Sequence, residues 1–319
     1  MGVDQRTFQG IYVIVVTPFT ERLEVDEDAL RATLRFCFDA GVHGVVATAI
    51  ASEVGYLSEA ERRRSAEIIV EAAARNGTPS VVGVSSSTWK LSADFARHAA
   101  AIGAGAIMAM PPFLHAASPT EIRAFYRELA AATDLPIVLQ NGIGPGGAAM
   151  SPALMAELIA ELRTVRFIKE ETLHPAQTMG EVTKLAGPRL LGIMGGMAGR
   201  ALMEEIRHGA CGTMPACEFA DIHVALWRAI EEKRVADARD IFRRLLPLLD
   251  LEHAYGVPLA KEVLKMRGVI PTAAWRQTGC RALDAHARAE VAALLDDAAR
   301  LMLPAYRHTE MRSGRTERT

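Results

Sequence analysis

The sequence predicts an α/β protein, a (β/α)8 TIM barrel followed by a C-terminal helical domain. Between Ile11 and about Glu232, eight short apolar runs rich in Val and Ile alternate with eight longer segments that have helical spacing. The runs are apolar throughout, as is typical of parallel strands that are buried on both faces. A doubly wound open sheet is the structural alternative, but no glycine-rich phosphate-binding pattern follows the first run. Eight strands with eight following helices therefore favour the closed barrel.

Each predicted strand is one apolar run, and each predicted helix follows it with an apolar stripe. The predicted strands are Ile11–Val16, Val45–Thr48, Ser80–Val84, Ala106–Met110, Pro136–Gln140, Val165–Lys169, Leu190–Met194 and Gly212–Met214. The predicted helices are Asp26–Ala40, Ser58–Arg75, Trp89–Ile102, Ser118–Thr133, Ser151–Leu162, Pro175–Ala186, Gly199–His208 and Phe219–Glu232. Ser58 and Glu61 have the spacing of a capping box. Ser118 and Ser151 each precede a proline, the pattern of an N-cap before an N1 proline.

Three more helical patterns follow the last barrel helix. They are Val235–His253, Pro258–Arg267 and Arg281–Leu303. These patterns predict a barrel domain over residues 1–232 and a helical domain over residues 233–303. The remaining residues, 304–319, are polar and have no apolar stripe, which predicts a disordered tail.

Composition excludes several classes of protein. The 319 residues carry 36 Lys and Arg against 38 Asp and Glu, a formal net charge of −2, so a globally basic nucleic-acid-binding protein is excluded. The four cysteines are scattered without a neighbouring His cluster, which predicts free thiols and no metal site. The first ten residues have no apolar segment typical of a signal peptide, and no run of apolar residues is long enough to span a membrane. We therefore expect a cytoplasmic protein without nucleic-acid or membrane partners.

Lys169 is the most informative candidate for catalysis. In barrels of this class the active site lies at the carboxyl ends of the strands, and Lys169 ends the sixth apolar run. A lysine amine that has been desolvated can attack a keto group, and the resulting imine withdraws electrons from the adjacent carbon. The alternative is a structural lysine that extends into solvent or pairs with Glu170.

Glu171 adds a carboxylate to this candidate site. Side chains two positions apart on a strand point to the same face, so Glu171 faces the same side as Lys169. An amine with a carboxylate beside it can combine imine formation with general acid–base catalysis. The same spacing also fits a simple ion pair.

Several motifs in this order resemble the dihydrodipicolinate synthase and N-acetylneuraminate lyase family of class I aldolases and dehydratases. The resemblance extends from Gly10 to about Val269. The segments that carry it are Thr17-Pro18-Phe19, Ser52-Glu53, Leu57-Ser58-x-x-Glu61-Arg62, Pro111-Pro112-Phe113, Asp134-Leu135-Pro136-Ile137, Phe167-Ile168-Lys169-Glu170 and Gly209-Ala210-x-Gly212. The resemblance implies a TIM barrel with a C-terminal helical domain, a homotetramer, and Lys169 as the lysine that forms the Schiff base.

The sequence departs from this family at positions that bear on the substrate. The family's Gly-Thr-Thr-Gly-Glu motif is Ala49–Glu53 here, so both threonine hydroxyls of the dihydrodipicolinate synthase proton relay are absent. Gln140 replaces the tyrosine that ends the fifth strand, and Leu114 replaces the second aromatic after the fourth. The arginine that binds the second substrate's carboxylate aligns with about Pro145. Lysine biosynthesis and sialic acid cleavage are therefore disfavoured.

One branch of the family, the L-2-keto-3-deoxyarabonate dehydratases, is similar at these points. The matching positions are Ser52-Glu53, Met108–Pro112, Gln140 and Glu171. The resemblance implies that Glu171 takes over proton transfer from the absent tyrosine. The sequence differs from the branch at Phe113-Leu114, where an aromatic residue and a histidine are expected, and places His115 one position later. The strand-7 loop, Gly195-Gly196-Met197, lacks the polar residues of the branch.

The predicted function is dehydration of a 2-keto-3-deoxy sugar acid through an imine, without a metal or an organic cofactor. The predicted catalytic residues are Lys169, Glu171 and Gln140, and the predicted substrate-binding residues are Ala51, Ser52, Phe113, His115 and Gly195. Backbone N–H groups at Ala51 and Ser52 are expected to hold the substrate carboxylate. A pyruvate-dependent aldolase that forms the same enamine is the first alternative. A ligand-binding barrel without catalytic activity is the second.

Overall fold

Eight parallel strands close into a barrel in chain order, and the predicted (β/α)8 fold is confirmed. The structure is a computed structural model that describes residue 4, residues 6–142 and residues 149–307. The strands are β1 (Gly10–Ile14), β2 (Gly44–Ala47), β3 (Ser80–Gly83), β4 (Ala106–Ala109), β5 (Ile137–Gly142), β6 (Val165–Glu171), β7 (Gly192–Gly195) and β8 (Gly212–Thr213). Nearly all of their residues are buried, as their continuous apolar runs predicted.

Several helices start at side chains that satisfy the free N–H groups of the first turn. The Ser118 side chain accepts from the Glu121 N–H and the Glu121 side chain accepts from the Ser118 N–H, a capping box with Pro119 at N1. The capping box predicted at Ser58 and Glu61 is also present. The helices are α1 (Glu27–Ala40), α2 (Glu59–Asn76), α3 (Trp89–Ala101), α4 (Pro119–Ala132), α5 (Pro152–Glu161), α6 (Pro175–Ala186), α7 (Leu202–Glu205), α8 (Ala220–Glu231), α9 (Val235–Tyr255), α10 (Val257–Met266) and α11 (Ala285–Asp297).

Strands β5 and β6 extend two residues beyond their predicted ends. Their last residues are Gly142 and Glu171, where the sequence predicted Gln140 and Lys169. The extensions pair with each other, Gln140 opposite Lys169 and Gly142 opposite Glu171. The apolar runs identified only the apolar part of each strand, so the polar residues that complete it were predicted as loop. The extension matters because regular strand geometry now fixes Lys169 and Glu171 on one face.

Two predicted helices are shorter than expected. The predicted helix Gly199–His208 contains only the four residues of α7 and a following 3-10 turn. The backbone just before it is left-handed at Met197 and Ala198, with φ of 47° and 59°, and left-handed residues cannot continue into a right-handed helix. The predicted helix Arg281–Leu303 begins only after Asp284, whose side chain accepts from the N–H three residues on.

Contacts between residues divide the chain into two compact units. The first unit contains β2 to β8 and α3 to α7 and lies within residues 1–12, 43–49 and 62–215. The second unit contains α1 and α8 to α11 and lies within residues 13–42, 50–61 and 216–319. In the second unit α9 packs against α8, α10 and α11. Helices at the C-terminus are thus confirmed, and the domain boundaries near residues 232 and 303 stay predictions.

The first residues of the predicted tail belong to the second unit. Pro304–Tyr306 forms a 3-10 turn. The Arg267 side chain donates to the Tyr306 carbonyl at 3.0 Å, and the Tyr306 hydroxyl donates to Asp39 at 2.6 Å. The rest of the tail that was predicted to be disordered, from residue 308 onward, lies outside the described residues.

Candidate active site

The carboxyl end of β6 presents a buried lysine paired with a glutamate. Lys169 Nζ lies 2.9 Å from Glu171 Oε1, and the two side chains are 3% and 15% exposed. Taking an ammonium group out of water is costly unless an opposite charge compensates it, and Glu171 supplies that charge. Lys169 therefore does not extend into solvent, and its partner is Glu171 rather than Glu170.

Gln140 holds the other oxygen of the same carboxylate. It lies opposite Lys169 in the β5–β6 pairing, and its side-chain amide donates to Glu171 Oε2 at 2.7 Å. The three residues predicted as catalytic are thus brought together, with Glu171 between the other two. The side-chain carbonyl oxygen of Gln140 can still accept a hydrogen bond from a water or a substrate hydroxyl.

The loop after β7 fits closely around Glu171. A side chain at Gly196 would overlap the Glu171 carboxylate, so only glycine leaves room for it. The Met197 N–H points to Glu171 Oε1 at 3.4 Å, and Met197 itself has a left-handed backbone. Non-glycine residues in this conformation cost free energy and are often found at functional sites. Glu171 is therefore held from three sides, by Lys169, Gln140 and the β7 loop.

Glu170 points to the opposite side of β6 and has structural partners. One oxygen accepts from the Asn141 side chain at 2.8 Å, and the other accepts from the Thr172 N–H at 2.8 Å. Asn141 also bonds both backbone groups of Met150, at 2.7 and 3.2 Å. Burial raises the pKa of Glu170 against the lowering effect of these bonds. This side of the strand anchors the chain around Met150 and keeps the next residue, Glu171, in place.

Glu205 is a third carboxyl group in this region that the sequence analysis missed. It is the last residue of α7, it is 1% exposed, and its carboxyl lies where a side chain at Gly195 would be. Burial raises the pKa of Glu205 to about 8, and the charges of Glu170 and Glu171 add to the effect. In the sequence Glu205 follows Glu204 on a short helix, a pattern typical of exposed charges. The sequence signal that could have indicated a buried side chain here is the pair Gly195-Gly196. Glycines in or next to a strand often mark a place where another group approaches the backbone closely.

The packing of Glu205 limits how Gly195, a predicted substrate-binding residue, could contact a substrate. Its carbonyl accepts from the Thr213 hydroxyl at 3.2 Å and from the Met214 N–H at 2.9 Å. Its α-carbon is covered by Glu205. Gly195 lies beside the Lys169–Glu171 pair, and its role in substrate binding stays a prediction.

The two residues predicted after β4 lie in a half-open loop. Phe113 is half-buried, whereas the His115 side chain is 61% exposed and lies 3.1 Å from Glu121. Glu121 belongs to the capping box of α4, so His115 extends that surface cluster. The substrate contacts predicted for both residues remain predictions.

Ala51 and Ser52 belong to the second unit, in a 3-10 turn after β2. The Ser52 hydroxyl donates to the Val15 carbonyl at 2.6 Å, and the Ser52 carbonyl accepts from the Thr17 hydroxyl at 2.8 Å. The one hydroxyl proton of Ser52 is therefore engaged, and a carboxylate would have to displace Val15 to receive it. Backbone N–H groups of this turn remain the candidates for the predicted carboxylate contact.

The motif residue Glu53 is the centre of a buried ion network in the second unit. Glu53 forms a salt bridge with Lys261 and accepts from the backbone N–H groups of Arg276 and Gln277, at 2.7 and 2.8 Å. Both charged side chains of the bridge are fully buried. Burial lowers the pKa of Lys261 to about 8, against the raising effect of Glu53. This network ties the segment before α11 to the turn after β2, a role that the sequence analysis did not predict.

The described residues contain neither a cluster typical of a metal site nor a helix that could span a membrane. No three His, Cys, Asp or Glu side chains in residues 4, 6–142 and 149–307 are arranged to hold a metal ion. Among the helices of the described part, none is both long enough and apolar enough to cross a membrane.

The sequence profile of the dihydrodipicolinate synthetase family matches residues 7–298. The chain belongs to this family. It is similar to an L-2-keto-3-deoxyarabonate dehydratase of Azospirillum brasilense, with 29% identity over 82% of this chain and 85% of that protein. It is also similar to a 4-hydroxy-tetrahydrodipicolinate synthase of Methanopyrus kandleri, with 28% identity over 75% of this chain and 80% of that protein.

The barrel is shared with solved structures of the dihydrodipicolinate synthetase family. The crystal structure of dihydrodipicolinate synthase from Rhodopseudomonas palustris matches with a TM-score of 0.85 and 26% identity, over 93% of this chain and 99% of that chain. The family inferred from the motifs is thus confirmed, and the protein is a lyase of the dihydrodipicolinate synthetase family. The position that aligned with the family's substrate-binding arginine, Pro145, lies outside the described residues.

Proposed function

We propose that this lyase dehydrates a 2-keto-3-deoxy sugar acid resembling L-2-keto-3-deoxyarabonate. The observation that supports the proposal is the buried pair of Lys169 and Glu171, with Gln140 on the second carboxylate oxygen. The pair provides an amine nucleophile and a carboxylate base within 3 Å of each other, and no phenol is needed to complete it. The similarity to a dehydratase of this substrate class is consistent with the proposal.

The first step is imine formation. Lys169, as the neutral amine, attacks the C2 ketone of the substrate, and the carbinolamine loses one water to give a protonated imine. The ammonium proton that Lys169 gives up passes to Glu171, which lies 2.9 Å away. Glu171 returns this proton to the carbinolamine hydroxyl as the hydroxyl leaves as water, and Glu171 is then a carboxylate again. The positively charged imine then acidifies the proton on C3 by withdrawing electrons toward C2.

The second step removes the elements of water. Glu171 takes the C3 proton to give an enamine, and the enamine electrons expel the C4 hydroxyl. That hydroxyl leaves as water with the proton from Glu171, either directly or through a water held by the Gln140 carbonyl that Glu171 reprotonates. Hydrolysis consumes the water released in the first step, frees an unsaturated 2-keto acid and restores Lys169. The net change is the loss of one water, and the chemistry requires no metal or organic cofactor.

Substrate binding and assembly complete the proposal. The substrate carboxylate would be held by the backbone N–H groups of Ala51 and Ser52, and Phe113, His115 and Gly195 would contact the rest of the molecule. The family resemblance supports a cytoplasmic homotetramer whose partner is a small-molecule 2-keto acid. Sedimentation equilibrium tests the assembly, and a monomer at micromolar concentration would contradict it.

Borohydride reduction in the presence of 2-keto acids tests the imine. The acids are pyruvate, 2-keto-3-deoxyarabonate and 2-keto-3-deoxygluconate, and intact-mass and peptide mass spectrometry locate the adduct. We expect one adduct on Lys169, none in Lys169→Ala, and full labelling in Lys184→Ala, which removes an exposed lysine on α6. Labelling that persists in Lys169→Ala would rule out the proposed nucleophile, and labelling of neither protein would favour a barrel without catalytic activity.

Product analysis then separates the dehydratase from the aldolase. Both reactions pass through an enamine on Lys169, but only C3–C4 cleavage releases pyruvate. We expect an unsaturated 2-keto acid with all the carbons of the substrate and no pyruvate. Release of pyruvate and an aldehyde would show that the protein is an aldolase of the same family.

A further inference from the structure

Glu205 is the most isolated carboxyl group beside the proposed site. Its side chain is 1% exposed, and its Oε2 has no hydrogen-bond partner among the described residues. The carboxyl is packed directly on the α-carbon of Gly195 at the end of β7. Gly195 in turn lies opposite Glu170 in the β6–β7 pairing. Glu205 therefore lies one strand away from the residues that carry the proposed chemistry.

The charges that raise the pKa of Glu205 are those of Glu170 and Glu171 on β6 and of Glu204 on its own helix. The 3-10 turn that follows α7 carries Arg207, which is exposed, and His208, whose ring lies at the Glu204 carbonyl. The strands β7 and β8 contain no titratable side chain, and α6, which packs against α7, carries Glu181 and Lys184 exposed to solvent. An ionised carboxylate is not stable in such a place, since it is buried, has no hydrogen-bond donor among the residues that the structure describes, and has like charges nearby.

We infer that Glu205 is an uncharged carboxylic acid in the working enzyme, and that its ionisation sets the alkaline limit of the Lys169–Glu171 pair. Glu205 touches neither the amine nor the carboxylate of that pair, so it acts as a positioning residue. The raised pKa of Glu205, about 8, agrees with the packing.

The second part of this inference rests on the proposed function. When Glu205 loses its proton, its new negative charge repels the Glu171 carboxylate and moves it out of its position beside Lys169. Glu171 receives the proton of the amine in the proposed first step, so imine formation slows. The packing also explains two adjacent glycines. Gly195, at the end of β7, leaves room for Glu205, and Gly196, which follows it, leaves room for Glu171.

Infrared spectroscopy tests the protonation state without any substrate. The difference spectrum between the wild type and Glu205→Gln at pH 6.5 to 7 is expected to show the carbonyl band of one neutral carboxylic acid. That band should be absent from the same difference spectrum at about pH 9.5, above the midpoint of Glu205. Glu204→Gln is the matched control, because it removes an exposed carboxylate one residue away. Only carboxylate bands in the Glu205 difference spectrum at neutral pH would overturn the inference.

The pH dependence of borohydride trapping with pyruvate tests the coupling. We expect the rate in the wild type to fall above about pH 8, and this fall to be absent from Glu205→Gln but present in Glu204→Gln. The same fall in Glu205→Gln as in the wild type would overturn the coupling. If the wild type forms no adduct at any pH, the proposed function fails, and the infrared bands still decide the state of Glu205. Circular dichroism confirms that each variant is folded.

Discussion

At the scale of single residues, the central feature is the number of donors whose N–H groups face the Glu171 carboxylate. Lys169 and the Met197 N–H approach one oxygen, and Gln140 approaches the other. Such an arrangement fixes the carboxylate within a few tenths of an ångström, which is what proton transfer to or from a bound substrate requires.

Glu171→Gln separates imine formation from proton transfer. The amide keeps the shape of the side chain and removes the base. We therefore expect the substrate adduct on Lys169 still to form, more slowly, and turnover to fall by about 10²- to 10⁴-fold because the C3 proton has no acceptor. Trapping by borohydride and the rate of product formation are measured on the same preparation. The conservative control is Glu181→Gln, an exposed glutamate on α6. Turnover within a few-fold of the wild type would show that another group moves the C3 proton.

Gly196→Ala tests the close approach of the β7 loop. The added methyl group would overlap the Glu171 carboxylate, and the carboxylate has to move away from Lys169 and Gln140. A displacement of this size costs about 10²-fold in turnover, with a smaller change in thermal stability. Gly55→Ala is the control, since its methyl group would meet nothing within 4 Å. Unchanged turnover in Gly196→Ala would show that the position of Glu171 is not critical.

Residue identities at the site were predictable in part. The lysine and the glutamate two positions later followed from strand geometry and the family resemblance. Glu205 was not predictable, because its burial depends on how α7 packs against β7, and its neighbours in the sequence are polar. The hydrogen bond from the Ser52 hydroxyl to the Val15 carbonyl was likewise not predictable, since the two residues are 37 positions apart in the sequence.

At the scale of elements, the buried bridge between Glu53 and Lys261 joins α10 to the turn after β2 within the second unit. Two cations, Lys261 and Arg276, also lie over the Phe19 ring, at 4.0 and 4.4 Å from its centre. The Arg276 guanidinium contacts both oxygens of Glu61 in addition, and lowers the pKa of that carboxyl to about 2. These contacts stabilise the irregular segment between α10 and α11.

Lys261→Ala should destabilise the protein strongly. Removing one partner leaves Glu53 as a buried charge without compensation, which costs about 3–5 kcal/mol of unfolding free energy. Lys265→Ala, an exposed lysine on the same helix, is the control and should change little. Chemical denaturation monitored by circular dichroism compares the two. Equal midpoints for both variants would mean that the bridge contributes nothing net, as some buried bridges do.

Elements were predicted more successfully than their ends. All eight strands were found, because buried parallel strands are apolar along their whole length. The ends of β5 and β6 were placed two residues early because the residues after each apolar run, Asn141-Gly142 and Glu170-Glu171, are not apolar. The start of the helix before β8 was placed too early because the amino-acid composition there does not indicate the left-handed backbone at Met197 and Ala198.

At the scale of the whole molecule, two buried acids govern how stability changes near neutral pH. Burial raises the pKa of Glu205 to about 8 and that of Glu218 to about 7, whereas both would titrate near 4.5 in the unfolded chain. Between pH 4.5 and 8 the folded protein therefore binds more protons than the unfolded protein. By linkage, stability is greatest near the lower end of this window and is lost as the pH rises through 7 and 8.

The thermal midpoint is expected to fall from pH 5.5 to pH 8.5. Glu205→Gln carries no ionisable group at this position, so its thermal midpoint should fall less. The corresponding difference in unfolding free energy is on the order of a few kcal/mol across the window. Differential scanning calorimetry at matched ionic strength measures both, and Glu204→Gln should follow the wild type. A midpoint that rises with pH in the wild type would contradict the protonated state of the buried acids.

In the reaction proposed above, the packing around Glu171 also determines the order of the steps. While Lys169 is a free ammonium, its N–H groups occupy the oxygen that would otherwise receive a proton from carbon. Conversion of that ammonium to an imine leaves one N–H where there were three, so the base becomes available only after the substrate is attached. A keto acid that enters the barrel but fails to react with Lys169 would meet an occupied base, and its C3 protons would not exchange with solvent.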